Sequence, residues 1–288
     1  MRRLTAGLAG LAMLAVLAAC AGPARPGRGP AAGTAATSTT TAAAARAAQV
    51  KPRAAQLSGR QLNLAVYYLR TYKGRRYLAP EWHPVPYTRA VAAAALGELL
   101  DGQPLCRGSR RPFPAGARVR GVLVEAGTAT VDLSGSALPA RSGARRWPLQ
   151  ALVHTLAQFP AVHRVVVRAG GKAVAGPLTR DPGLPLAPIA LAAPAPGALV
   201  KGGRLVVRGE ASVYEGTVGL RLRDDRGQVM AQGHGTAARG APGRGPFSGS
   251  LSFTAPATSH AWTLEAFEVS PEDGVVVYAV EVPVWVGR

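Results

Sequence analysis

Residues 128–175 constrain the fold most, because they read as a strand, a helix, a second strand and a hairpin in close succession. The helix carries apolar residues at i, i+3, i+4 and i+7, which places one apolar stripe along one face. These residues are Leu149, Leu152, Val153 and Leu156. Pro148 suits the first helical position, since the amide hydrogen that proline lacks has no partner there. Pro160 ends the helix, because a proline disfavours helical geometry in the residue before it.

The polar side of this helix and the strand after it complete the unit. Gln150, His154 and Gln158 fall off the apolar stripe, and we expect His154 on a solvated face of the helix. Residues 163–168 form a β-branched run typical of a strand. Gly170 and Gly171 supply the positive-φ positions of a tight hairpin. The pattern predicts a helix packed on strands rather than a free helix.

The unit belongs to a predicted α+β domain over residues 61–178. Apolar residues alternate with others over 62–68, which predicts a half-buried strand. Weaker strand candidates at 77–79 and 82–85 are interrupted by prolines, which cannot donate to a strand ladder.

A second helix and another hairpin are predicted in the same domain. Thr88 suits the N-cap of a helix over 89–100. Residues 118–125 and 128–133 predict a hairpin that turns at Ala126 and Gly127. We expect both helices on one face of a single sheet.

Residues 187–288 are predicted to be all β. Seven strand candidates are separated by turns rich in proline, glycine and aspartate, at 189–193, 205–213, 218–223, 228–233, 247–253, 262–269 and 275–286. Seven short strands in roughly a hundred residues favour an immunoglobulin-like sandwich. Trp262 and Leu264 are the expected core residues.

The first 20 residues are typical of an export signal. Arg2 and Arg3 precede an uncharged, mostly apolar run over 4–19, which is short for a membrane span of about 20 residues. The run ends in Leu17-Ala18-Ala19-Cys20, which resembles the lipobox of bacterial lipoproteins. We therefore expect lipid on Cys20 and a location on the extracytoplasmic face of the cell membrane. The alternative is a plain secretory peptide with an incidental cysteine.

Residues 21–60 are predicted to be a flexible tether, because proline, glycine, alanine, threonine and serine dominate without apolar periodicity. Charge then divides the folded part of the chain. Residues 61–180 carry 17 lysines and arginines against 5 acidic residues, whereas residues 181–288 carry 9 against 10. The surplus favours an anionic partner such as a wall polymer, a phospholipid or an envelope protein. Export makes nucleic acid the least expected of the polyanions.

Residues 67–77 interleave four tyrosines with four bases across an expected hairpin tip. Guanidinium groups can pair with phosphate or carboxylate while aromatic rings stack on sugar or backbone. The candidate binding residues are Arg70, Tyr72, Lys73, Arg75 and Arg76. The alternative is a solvated turn whose tyrosines face the core.

No catalytic or metal-binding motif stands out in the chain. G-x-S-x-G, P-loop, G-x-G-x-x-G, H-E-x-x-H and C-x-x-C patterns are absent. Asp132 and Glu125 are the only acid pair worth weighing as catalytic, and a turn or capping role for Asp132 is favoured. His154 and His163 are expected at the surface, and Cys106 is either buried and inert or a free thiol. We therefore expect no enzyme activity, metal or cofactor.

The first domain resembles the GerMN domain of sporulation and germination lipoproteins. The matching motifs run in order through Pro86-Tyr87-Thr88, Leu99-Leu100-Asp101-Gly102, Phe113-Pro114-Ala115-Gly116, Val131-Asp132-Leu133-Ser134 and His154-Thr155-Leu156. The resemblance implies a non-enzymatic α/β module in which Asp132 and Ser134 are structural motif residues. An arginine-rich insert at 107–111 departs from the family pattern.

The second domain resembles the immunoglobulin-like, Gmad-type domain of bacterial spore germination proteins. The resemblance rests on Gly209-Glu210-Ala211, Tyr214-Glu215-Gly216, Leu251-Ser252-Phe253 and the run from Leu264 to Ser270. A GerMN domain followed by a Gmad-type domain behind a lipobox implies a membrane-anchored binding or assembly module. That module would act in sporulation, spore germination or envelope maintenance. The alternatives are a cell-wall hydrolase or its activator, and a ligand-binding lipoprotein serving a transporter or sensor kinase.

Overall fold

The structure is a computed structural model that describes residues 61–288. The predicted export segment, the lipidation site Cys20 and the tether lie outside the described residues. The α+β domain followed by an all-β sandwich is confirmed.

The first domain contains seven strands and two helices. In order they are β1 (Gln61–Tyr72), β2 (Arg75–Pro86), α1 (Val91–Asp101), β3 (Ser109–Arg110), β4 (Val119–Glu125), β5 (Thr128–Leu133), α2 (Arg146–Leu156), β6 (Arg164–Ala169) and β7 (Lys172–Leu178). The strands form two sheets, ordered β2-β1-β3 and β4-β5-β6-β7, so the expected single sheet is wrong. Only β5 and β6 pair in parallel, and α2 is their crossover. Both helices share one apolar core with both sheets.

Helix α2 is buried on almost every side. It begins at Arg146, two residues before Pro148, and its last seven residues are all buried. Gln150 and His154 are among them, so the expected solvated position of His154 is wrong. The reason differs for the two residues: His154 packs against Tyr67 of β1, whereas Gln150 is covered by the segment that follows β7. The Gln150 Nε2 donates to Thr179 O there, at 3.0 Å.

Strand β2 runs without interruption through Pro80 and Pro84, where the sequence predicted two fragments. It lies at the edge of its sheet, where proline is tolerated because one side of the strand makes no ladder. The free side meets the segment that links the two domains. Leu78 N donates to Pro185 O at 2.9 Å, and Ala187 N donates to Leu78 O at 2.7 Å.

Helix α1 begins at Val91 rather than Arg89, and Thr88 is not its N-cap. The Thr88 hydroxyl instead accepts a hydrogen bond from Ala90 N at 3.1 Å, just outside the helix. The buried face of the helix carries Ala95, Leu96 and Leu99.

The second domain has eight strands around one core. They are β8 (Ile189–Ala193), β9 (Ala198–Lys201), β10 (Arg204–Ala211), β11 (Thr217–Arg223), β12 (Val229–Ala237), β13 (Gly245–Ser252), β14 (His260–Val269) and β15 (Val276–Gly287). The seven predicted strands are present, and the sequence missed β9, whose four residues between glycines are too few to show alternation. The ladder runs β8-β10-β13-β12-β11-β14-β15-β9, and β8 packs near β14 and β15. Trp262 and Leu264 are buried in this core, as predicted.

A shared apolar cluster joins the two domains. Tyr77 and Ala79 of β2 belong to the buried cluster of the second domain. Tyr278 of β15 is 1% exposed, and its ring centroid lies 5.4 Å from the rings of both Tyr72 and Tyr77. The junction is therefore a packed interface rather than a flexible link.

Replacing Tyr278 by Ala should destabilise the protein by about 3–5 kcal/mol, because a buried aromatic side chain is lost and a cavity remains. The measurement is the free energy of unfolding from denaturant titration of the purified chain. Val277→Ala is the matched control on the adjacent residue, which is exposed and should change stability by at most about 0.5 kcal/mol. Equal effects of the two substitutions would show that the interface contributes little.

Candidate functional site

The candidate binding hairpin at residues 67–77 is formed by β1 and β2. Tyr72 pairs with Arg75, and the two-residue turn uses Lys73 at φ 45° and Gly74 at φ 76°. These positive angles suit the turn types that match the twist of paired strands. Because side chains alternate across a strand, the tyrosines and bases of the motif divide between different environments.

All four tyrosines are packing residues. Tyr68 is fully buried and its hydroxyl donates to Glu98 O at 2.8 Å. Tyr67 lies against His154, with ring centroids 5.1 Å apart. Tyr72 and Tyr77 pack on Tyr278 of the second domain. The four tyrosines therefore contact other side chains of the protein, which agrees with the alternative of tyrosines that face the core.

Arg70 is 6% exposed, so its assignment to an exposed binding loop is wrong. Its Nη2 donates to Ala279 O of the second domain at 3.1 Å, and its guanidinium lies 5.9 Å from the centre of the Tyr278 ring. The alternation of side chains along β1 could have predicted this burial, because Arg70 lies on the same face of the strand as the buried Val66 and Tyr68.

The other candidate bases separate into two groups. Lys73 reaches across the junction, where its Nζ donates to Val276 O at 2.6 Å. Arg75 and Arg76 stay exposed, and the Arg76 guanidinium stands 5.5 Å from the centre of the Trp147 ring. Arg70, Tyr72 and Lys73 therefore hold the two domains together, while Arg75 and Arg76 remain available to a partner.

The arginine-rich insert extends this junction. Ser109 and Arg110 form β3, which pairs with Leu69 and Arg70 of β1. Arg107 Nη1 lies 3.4 Å from Glu281 Oε2 of the second domain. The insert thus adds a third strand to the hairpin and a further contact across the interface.

Asp132 and Ser134 both bind backbone amides. Asp132 Oδ1 accepts from Gly171 N at 3.0 Å, which joins the end of β5 to the β6–β7 turn. Ser134 Oγ accepts from Arg118 N at 3.1 Å. These contacts are those of structural residues. Glu125 lies at the other end of the β4–β5 hairpin, opposite Thr128, so the two acids do not form a pair.

A buried polar cluster, which the sequence reasoning missed, lies behind β2. Glu81 and His83 are 2% and 3% exposed, and His83 Nδ1 is 2.9 Å from Glu98 Oε2. Burial alone would lower the pKa of His83, but hydrogen bonds to Glu81 and Glu98 outweigh it and raise that pKa. The sequence pattern did not indicate this cluster, because Pro80 and Pro84 interrupt the apolar alternation along β2.

The same cluster positions Cys106. Glu81 Oε2 accepts from Leu105 N and from Cys106 N, the latter at 3.2 Å. Burial, together with the charge of Glu81, raises the pKa of the Cys106 thiol. Within residues 61–288 this cysteine forms no disulfide, and the raised pKa keeps its proton in place, which favours the inert alternative.

His154 is buried against Tyr67, so its predicted surface position is wrong, whereas His163 is exposed as expected. Burial and the positive charges of Arg180 and Arg244 lower the pKa of His154 to about 4. The ring is therefore neutral at physiological pH.

An open groove of about 630 Å³ lies beside the junction. Trp82 of the first domain and Arg208, Glu210 and Phe247 of the second contribute to its walls. Within residues 61–288, no three histidine, cysteine, aspartate or glutamate side chains are grouped so that they could hold a metal ion. Neither helix of this part of the chain is long and apolar enough to cross a membrane.

Two protein families match the chain over adjacent segments. The family described as sporulation and spore germination (Germane) matches residues 65–175. The family described as the immunoglobulin-like domain of bacterial spore germination (Gmad2) matches residues 188–275. No curated protein matches the chain significantly.

Three solved structures are similar to parts of the chain. The first GerMN domain of the sporulation protein GerM from Bacillus subtilis is 25% identical, with 44% of this chain and 94% of that chain covered and a TM-score of 0.35. The tandem GerMN domains of the same protein are 19% identical, with 78% and 60% covered and a TM-score of 0.37. A putative lipoprotein from Clostridium perfringens is 16% identical, with 42% and 82% covered and a TM-score of 0.28.

Replacing His154 by Gln should reduce the loss of unfolding free energy that acidification causes. The folded pKa of about 4 lies below the unfolded value of about 6.5, so the unfolded chain binds a proton that the folded chain excludes. Between pH 7 and pH 5 the wild type should lose about 2 kcal/mol more unfolding free energy than the variant.

The measurement for His154 is denaturant unfolding at each pH, with His163→Gln as the exposed control. His83 has a raised pKa, so its contribution to the free energy of unfolding grows as pH falls. The wild type and both variants contain His83, so this contribution cancels in the comparison. Parallel pH profiles for wild type and His154→Gln would contradict the assignment.

Proposed function

Because this chain carries a GerMN domain followed by a Gmad-type immunoglobulin-like domain, we propose that it is a non-enzymatic binding or assembly protein of sporulation or spore germination. In this proposal lipid on Cys20 holds it at the extracytoplasmic face of the cell membrane. The observation that carries the proposal is the adjacent match of two families, both described by sporulation or spore germination. Wall or envelope maintenance is the broader setting in which such a module could act.

The anchoring part of the proposal is supported by the N-terminal sequence. A basic start, an apolar run and Leu17-Ala18-Ala19-Cys20 form the pattern of a lipoprotein signal. Two or three acyl chains on one cysteine provide stable anchoring, whereas a single chain gives only reversible binding. Residues 21–60 would then connect the lipid to β1.

The binding part of the proposal is supported by the junction. Arg70, Lys73 and Arg107 all contact the second domain, and Tyr72 and Tyr77 pack on it. A packed interface fixes the surfaces of both domains relative to each other, so a partner meets one preorganised surface. Such a surface suits an assembly role, with an envelope protein or an anionic wall polymer as the partner.

The enzyme alternative has less support from the geometry. A wall hydrolase of the common type uses two carboxylates that flank one bond. Glu125 and Asp132 lie at opposite ends of a hairpin, and the Asp132 carboxylate is engaged by Gly171 N. The ligand-binding alternative rests on the groove beside Trp82, which is open rather than enclosed.

Replacing Cys20 by Ala should move the protein from the membrane fraction to the soluble fraction of the producing cell, because the lipid has no attachment site. Fractionation followed by immunoblotting measures this. Cys106→Ala is the control, since it removes the only other cysteine and should leave the protein with the membrane. Retention of the Cys20 variant at the membrane would refute lipid anchoring.

The purified full chain should leave peptidoglycan and simple ester and glycoside substrates unchanged. Release of soluble fragments from labelled peptidoglycan and chromogenic hydrolysis are the measurements. Turnover that disappears in Asp132→Ala or Glu125→Ala, with folding intact, would overturn the non-enzymatic proposal in favour of a hydrolase.

A further inference from the structure

One end of the first domain collects exposed bases from four separate segments. We call it the basic end and define it by Arg75, Arg76, Arg141, Arg168 and Lys172, all of which are exposed. The parallel pairing of β5 and β6 brings their carboxyl ends together, where Gly170 N donates to Leu133 O at 3.0 Å. Arg168 of β6 and Lys172 of β7 lie on either side of Gly170 in the chain.

The hairpin tip and the start of α2 join the same end. The crossover from β5 to β6 places the start of α2 near the carboxyl ends of these strands. Arg141 stands just before the short helical turn at 142–145 that leads into α2. The Arg76 guanidinium lies over Trp147, the second residue of α2, so Arg75 and Arg76 of the β1–β2 tip lie near the start of this helix.

The acidic residues of this end are already engaged. Asp181 accepts two contacts from Arg146, at 2.9 and 2.7 Å, and this hydrogen bonding with Arg146 lowers the pKa of its carboxyl. Asp101 is paired with Arg118. Asp132, which neighbours Arg168 in the ladder, accepts from Gly171 N.

The five bases have no such partners. Within residues 61–288, none of the five has a carboxylate oxygen within ion-pairing distance. The basic end therefore presents positive charge that its own acids do not neutralise.

We propose that the basic end binds a phosphodiester polymer. Four of the five bases are arginines, whose planar guanidinium groups match phosphate oxygens with paired hydrogen bonds. A single exposed ion pair contributes only about 0–1 kcal/mol, so one small anion would be held weakly. A chain of repeated phosphates contacts several segments at once and adds these contributions within one molecule.

The position of the basic end favours a wall polymer over the membrane surface. The chain enters the fold at Gln61, and the tip with Arg75 lies at the far end of β1. Twelve residues of strand span roughly 40 Å at about 3.3 Å per residue. This choice rests on the proposed function, in which the residues before Gln61 lead back to a lipid anchor. The bases would then lie at the end of β1 opposite the tether.

The experiment measures binding of soluble poly(glycerol phosphate) by isothermal titration calorimetry at low and physiological salt. Every protein is the full chain in a Cys20→Ser background, so lipid cannot contribute. The test variant carries Arg75→Ser, Arg76→Ser, Arg141→Ser and Lys172→Ser. The matched control removes an equal number of bases, three arginines and one lysine, from exposed positions of the second domain, at Lys201, Arg204, Arg226 and Arg239.

We expect the test variant to bind about tenfold more weakly or worse, while the control keeps near wild-type affinity. Affinity should also fall with salt, because screening limits exposed charges to about 8 Å at physiological ionic strength. Equal losses in both variants would overturn the proposal by showing that net charge alone attracts the polymer. A folding check by thermal unfolding guards against loss through destabilisation, and a single Arg75→Ser variant should still weaken binding measurably.

Two further arms fix the class of ligand. Polyglutamate of similar length should bind more weakly, and equal affinity would contradict a phosphate site. Phosphatidylglycerol vesicles should bind no more tightly than the polymer, and a clear preference for vesicles would assign the surface to the membrane instead. These assays do not depend on anchoring, so a negative result would not bear on the lipoprotein proposal. That proposal is tested separately by the fractionation of the Cys20 variant.

Discussion

The two-domain structure depends on one buried charge and the aromatic rings around it. Arg70 carries a guanidinium into the junction, where Nη2 binds Ala279 O and the ring of Tyr278 lies beside it. A charge removed from water costs several kcal/mol unless it is paired or hydrogen-bonded. Within the described residues its Nε has no hydrogen-bond partner, so the contact with Ala279 carries much of the compensation. This requirement ties the position of the second domain to the hairpin.

Strand β1 extends that constraint into the first domain. Gln158 binds Ala65 on both sides, accepting from its N at 3.0 Å and donating to its O at 2.7 Å. Thr155 of α2 accepts from Tyr67 N at 3.1 Å, and Tyr68 donates to a carbonyl of α1. Both helices and the second domain are therefore positioned by one strand. A substitution in the hairpin would therefore disturb the packing of both helices and of the second domain. The tyrosines of the hairpin take part in this packing.

The bases around the hairpin fall into two groups with different surroundings. Arg70 and Lys73 are committed to the second domain, while Arg75 and Arg76 face outward next to the start of α2. The outward pair gains neighbours from segments that are distant in sequence, because the parallel pairing of β5 and β6 brings their carboxyl ends to the same edge. Five of the 17 bases of residues 61–180 therefore belong to the basic end.

Local pattern in the sequence determined most of the elements. The apolar stripe of α2, the turn at Ala126 and Gly127 and seven of the eight strands of the second domain follow from periodicity and turn chemistry, which depend on neighbouring residues alone. Tertiary structure decided the burial of His154 and Arg70, the continuity of β2 through its prolines, the split into two sheets and the Glu81–His83–Glu98 cluster. Each of these depends on what a second element places against the first. A strand that is hydrogen-bonded on one side tolerates proline, and a polar residue can be buried only when distant atoms satisfy it.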